Sequence, residues 1–65
     1  MKILICNKKI IFQNYNQIKL ISDNKIIIDN YKLSGYKLYV LELDEYYIKV
    51  TGIFEKMVFN EENHN

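Results

Sequence analysis

Proline, tryptophan, arginine and alanine are missing from this 65-residue chain, and cysteine and histidine occur once each. A single cysteine excludes an internal disulfide and points to a reducing compartment. One Cys and one distant His do not supply the several ligands a metal site needs. The two glycines, Gly35 and Gly52, lie too far apart to build a phosphate-binding loop. No apolar run approaches the roughly 18 residues of a helical membrane span. The N-terminus is strand-like and lacks the small-residue cleavage site of a signal peptide, so a cytosolic location is expected.

Without arginine, all nine basic residues are lysines, and the net charge is +1. Binding nucleic acid through its phosphates requires clustered basic charge that releases counterions. Here Lys37, Lys49 and Lys56 alternate with apolar residues, as on the solvent face of a strand, and the adjacent Lys8 and Lys9 fall in a turn.

What remains is rich in Ile, Tyr and Phe, residues that favour strands, and poor in the best helix formers. A chain of this length buries only about 60% of its unfolded surface, enough for one thin core. Apolar runs at residues 2–6, 9–14, 17–22, 25–29, 36–43 and 46–59 are separated by turn signals, among them Asn7-Lys8, Asp23-Asn24 and Asp44-Glu45. Strand-sized runs at this spacing predict an all-β domain. The links are too short for crossover helices, so the pairing should be mostly antiparallel. Forcing residues 25–43 onto a helical wheel fails on consecutive isoleucines and Gly35. The expected fold is a small β-meander over residues 1–59, curled into a two-layer sheet or sandwich, with a flexible polar tail at 60–65.

In the last strand Ile48, Val50, Gly52 and Phe54 share one face, and Met57 and Phe59 resume the alternation one residue out of step. A glycine on an inner face lets another backbone or a large ring come close, and the slip after Phe54 predicts a β-bulge that bends the strand between layers. Gly35 is expected to do a similar job where the preceding strand starts.

The residues that carry chemistry elsewhere have bland readings here. His64 falls in the tail. Cys6, at a strand end, reads as a small buried or half-buried hydrophobe rather than a nucleophile. Asp44 and Glu45 read as a solvated turn, with Asp44 bonding to the local backbone. Tyr36, Tyr39, Tyr46 and Tyr47 read as core and rim packing rather than a stacking platform for bases. The expectation is a protein without enzymatic activity, catalytic residues, cofactor or metal.

"ICN" (5–7), "FQNY" (12–15), "SD" (22–23) and the closing spacing from Gly35 to Phe59 occur in one order along the chain, and in that joint spacing the chain resembles the YabP/YqfC family of small sporulation proteins of endospore-forming Firmicutes. "ICN" ends the first strand, "FQNY" (12–15) matches a second motif and "SD" (22–23) a turn. The closing rhythm of Gly35, Leu38 and Val40, then Ile48, Val50, Gly52, Phe54, Met57 and Phe59, matches best. Cys6 and Gln17 stand where the family usually has Gly, and Gln13 where it has Glu, as in a divergent, YqfC-like member. The resemblance implies a non-enzymatic role in endospore formation through protein–protein interaction, in the mother-cell cytoplasm. For the YqfC branch it also implies a membrane-bound protein partner of the YqfD kind; the residues themselves add that a sheet this small leaves edges for a partner or another copy of the chain, and that neither membrane insertion nor nucleic-acid binding is expected. The alternative reading of the residues is a small single-stranded nucleic-acid-binding β-barrel of the OB or cold-shock type. A phage-type or toxin-associated small β protein fits the same periodicity.

Overall fold

A computed structural model describes residues 1–60 and is all-β over that range. The strands are β1 (Lys2–Cys6), β2 (Lys9–Gln13), β3 (Ile18–Ile21), β4 (Lys25–Ile28), β5 (Tyr31–Leu43) and β6 (Tyr47–Phe59). All pairings are antiparallel, in one open sheet of order β1-β2-β6-β5-β4-β3. The expected tail at 60–65, apart from Asn60, lies outside the described residues.

The turns follow from their side chains. Asn7 and Lys8 both take left-handed φ (48° and 63°), the type I′ geometry that matches the twist of a two-residue hairpin. Asp23-Asn24 closes the β3–β4 hairpin without left-handed φ, and Ser22 Oγ braces it by accepting from Lys25 N at 3.1 Å. Asp44 accepts from Tyr46 N at 3.3 Å through its carboxylate, the local backbone bond its turn position implied.

The link from β2 to β3 shows why the sheet must curl. In the strand order β2 stands four neighbours away from β3, about 19 Å across a flat sheet at the usual strand spacing. The five Cα steps from Gln13 to Ile18 reach at most about 16–18 Å, and Asn14 shortens them further with φ 59°. The sheet therefore rolls up until the end of β2 and the start of β3 come within reach of the link. The link is then pinned on both sides. Asn14 N donates to Tyr46 O at 2.8 Å and the Tyr15 hydroxyl to Asp44 O at 3.0 Å. Asn16 N and Gln17 N donate to the Asp29 carboxylate at 3.1 and 2.8 Å.

β5 and β6, at 13 residues each, are long enough to serve both layers. Their N-terminal and C-terminal halves exchange roles: β6 joins β2 through Tyr47–Thr51, and β5 joins β4 through Tyr31–Ser34. Register shifts accomplish the bend. Glu55 is the extra residue between Phe54 and Lys56, which is the bulge expected after Phe54. Opposite Gly52, β5 inserts both Lys37 (φ 54°) and Leu38. The rolled inner face buries Ile10, Phe12, Ile26, Ile28, Leu33, Leu38, Ile48 and Val50, drawn from both layers, at 4% exposure or less.

Three expectations need correction. β5 starts at Tyr31 rather than at residue 36, because Asp29-Asn30 forms a two-residue hairpin that pairs Tyr31 with Ile28. Gly35 is consequently a buried mid-strand residue paired with Phe54, not the residue that opens the strand. Cys6 is exposed, because alternation from inner-facing Ile3 and Ile5 puts it on the outer face of the edge strand β1, in the row of Lys9, Thr51 and Tyr39.

Candidate interaction surface

The registers define rows of side chains running across each layer. In the first layer the inner rows read Ile5–Ile10–Val50–Val40 and Ile3–Phe12–Ile48–Leu43. Their centres are sealed, with Ile10 at 3%, Phe12 at 1% and Ile48 and Val50 at 0% exposure. Their outer ends are open: Ile5 is 69% and Leu43 60% exposed. The second layer repeats this arrangement. Ile26, Ile28 and Leu33 are buried, whereas Ile21 at one flank and Phe59 at the other are exposed. Phe59 leans on Tyr31 with ring centroids 4.8 Å apart and leaves its far side to solvent. Each layer is thus too wide for the other to cover, and apolar side chains spill over at the margins.

Backbone pairing ends at the same margins. β1 and β3 close the sheet at its two edges. Because β2 and β4 pair with only half of their long neighbours, Tyr39–Leu43 of β5 and the stretch of β6 beyond Thr51 each have one unpaired side as well. Unpaired N–H and C=O groups flanked by exposed aliphatic side chains are what a strand-adding partner uses.

On the outer face, two tyrosine–carboxylate contacts decorate the sheet. The Tyr47 hydroxyl donates to Glu42 Oε1 at 2.6 Å, and Lys49 Nζ sits 3.4 Å from Glu42 Oε2. Glu42 is held below the usual carboxylate range by the Tyr47 hydrogen bond first and the Lys49 charge second, and Tyr47 is pushed up by the same bond. Tyr36 donates to Glu55 at 3.0 Å and is raised in the same way. All three groups are open to solvent, where such pairs contribute little stability. Tyr36, Tyr39 and Tyr46 are 56%, 57% and 66% exposed, so they lie on the surface and do not pack in the core. Asp44 and Tyr46, with Gln13, Asn14 and Tyr47, line an open recess beside the β5–β6 loop. Among the described residues no group of three His, Cys, Asp or Glu could hold a metal ion. His64 lies outside the described residues.

The position of Cys6 carries a direct expectation. Its thiol should react with a maleimide in the native protein at neutral pH about as fast as in urea-unfolded protein, and Cys6→Ser should shift stability by less than about 0.5 kcal/mol, as at other surface sites. Strong protection of the native thiol would place it under cover.

Asp29 is the residue that sequence reasoning passed over. It looked like a strand end, but its carboxylate fastens the β2–β3 link and so fixes how the two layers meet. No local pattern announces such a contact, because its partners, Asn16 and Gln17, lie in the β2–β3 link, more than ten residues away in the chain. No family model matches the chain, and no curated protein and no solved structure matches it either.

Proposed function

We propose that this protein works without enzymatic chemistry, by docking its open sheet margins onto a protein partner during endospore formation. The observation that carries the docking reading is the coincidence of unpaired strand edges with exposed Ile5, Leu43, Ile21 and Phe59. The resemblance of residues 3–59 to the YabP/YqfC family supports the sporulation setting, with the mother-cell cytoplasm as the place and a membrane-bound YqfD-like protein as the partner. The protein itself then acts as a rigid β adaptor, offering main-chain hydrogen bonds for affinity and apolar pockets between side chains for specificity.

The test is genetic and biochemical together. Deleting the gene should lower the yield of heat-resistant spores while leaving vegetative growth unchanged, and the tagged protein should co-purify with a co-expressed YqfD-like protein. Normal spore yield with no such co-purification would overturn the reading. The exposed rings of Tyr36, Tyr39 and Tyr46 are the one feature that favours a single-stranded nucleic-acid binder. Salt-dependent binding of a single-stranded oligonucleotide at physiological ionic strength would move the assignment there.

A further inference from the structure

The open edges are not equivalent. β3 is short, carries Lys19 in its middle and has a register shift between Ile18 and Leu20. The open half of β5 contains Glu42 and a register shift beside it. The open half of β6 contains the Glu55 bulge followed by Lys56. Charges and bulges are the devices that stop an edge from pairing with another strand. β1 has neither in its interior. It pairs with β2 without a shift, and its one charge, Lys2, stands at its end.

Hydrogen-bond parity selects the register in which β1 could be used. The type I′ loop makes Cys6 and Lys9 a hydrogen-bonded pair. Alternation along the ladder then turns the N–H and C=O groups of Ile3 and Ile5 away from β2, toward the open side. An antiparallel pairing of β1 with a second β1, centred on Leu4, uses all five residues. It places Ile3 of each copy opposite Ile5 of the other, so the outward groups meet their own kind. Leu4 faces Leu4 at the two-fold axis, and Lys2 faces Cys6, so like charges never meet. The inner rows also join: Ile5, 69% exposed in the single chain, gains the second copy's Ile3 as its neighbour.

From this self-complementarity we infer that a second copy of this chain occupies the β1 edge, in an isologous dimer whose first layers merge into one continuous sheet. The inference rests on the reading of the open edges as docking surfaces, and it names the edge, the occupant and the register. A five-residue edge with flanking side chains falls below the size of a stable standard interface, so the dimer is a weak one that forms with concentration.

Sedimentation velocity on the full chain should show a mass rising from 7.9 kDa toward twice that value by about 100 µM, in the micromolar range of affinities. Leu4→Lys puts two like charges opposite each other at the axis. It should keep the sheet spectrum and remain a monomer at every concentration. A second variant covers the case in which Leu4→Lys fails to fold. Leu4→Cys in a Cys6→Ser background should form a disulfide dimer on mild oxidation, because facing residues of a non-hydrogen-bonded pair bring their Cβ atoms within reach. The native Cys6 should cross-link far more slowly, since the two Cys6 residues lie at opposite ends of the paired strands. A wild-type mass that stays at 7.9 kDa, or cross-linking through Cys6 in preference to position 4, overturns the dimer. Co-purification of the membrane partner with a folded, monomeric wild type would sink the dimer and leave the docking function standing. A dimer with no effect on spore yield would do the reverse.

Discussion

Gly35→Val is expected to abolish cooperative folding, the largest effect of any single substitution considered for this domain. A Cβ built on Gly35 lands on the carbonyl oxygen of Ile53, with the Ile53 carbonyl carbon at 3.0 Å and Leu38 Cδ2 at 3.2 Å. The first two obstacles are backbone, and they belong to the strand with which Gly35 is paired, through its partner Phe54. Neither side can retreat without breaking the ladder between β5 and β6. On the other flank Gly35 N donates to Asn24 O at 3.2 Å, so the strand is also held from the β3–β4 turn. Overpacking a core usually costs about 1–3 kcal/mol, where flexible side chains can yield. Here backbone must yield, and about 3 kcal/mol or more is expected. A core of this size rarely supplies more than about 3–5 kcal/mol in total. Gly35→Ala should already lower the urea midpoint strongly, and valine should leave no measurable transition. A valine variant that melts at the wild-type midpoint would show that the approach of the two strands is looser than described. The effect does not come from glycine's backbone freedom, because Gly35 does not take a positive φ.

Gly52→Val should cost nearly as much, for a different combination of reasons. Gly52 has φ +137°, a region that side-chain-bearing L residues rarely occupy. Its missing Cβ would meet Lys37 O at 2.7 Å and Leu38 Cα at 2.9 Å, where β5 inserts two residues against one. Backbone strain of about 1–3 kcal/mol adds to an overpacking cost of similar size, giving about 2–6 kcal/mol. Valine's strand propensity acts in the opposite direction, but that scale spans only about 1 kcal/mol. The prediction is a lower midpoint in a denaturant melt, monitored by far-ultraviolet circular dichroism, for both Gly52→Ala and Gly52→Val. A raised midpoint for valine would mean that Gly52 sits on an open face and merely tolerates its position. Loss of partner binding at unchanged stability would instead assign Gly52 to the docking surface.

The two glycines also measure how far the residues alone lead. Gly52 was legible because it breaks an otherwise unbroken apolar face, Ile48-Val50-Phe54, and a gap in such a face calls for something that fills it. The slip from Phe54 to Met57 was legible for the same reason, and Glu55 is indeed the inserted residue. Gly35 was misplaced because the four residues before it, Tyr31 to Ser34, make too short an alternation to stand out beside a glycine. Their strand character comes from pairing with β4, a contact that the local pattern does not display. The interaction surface was legible only in outline. That a sheet this small leaves edges follows from its size, but which edge stays unblunted depends on the bulges and on where Lys19, Glu42, Glu55 and Lys56 fall relative to them.

Alternation of apolar and polar residues, short links and turn chemistry settle the strands, their antiparallel sense and most of their faces, because each is a property of neighbours along the chain. Burial is a property of neighbours in space. Ile5 and Ile48 carry the same side chain on the same inner face, yet one is 69% exposed and the other 0%. The difference arises because β2 is placed beside β6 and not beside β3, which puts β6 in the middle of its layer and β1 at the rim. That placement is decided by non-local pairing, by the roll that a four-residue link from β2 to β3 enforces, and by the Asp29 carboxylate that fastens it. Cys6 marks the same boundary: it stands one position past inner-facing Ile5 and so points to the outer face, in the row of Lys9, Thr51 and Tyr39, and only the pairing of β1 with β2 and β6 decides which face of that strand is the inner one.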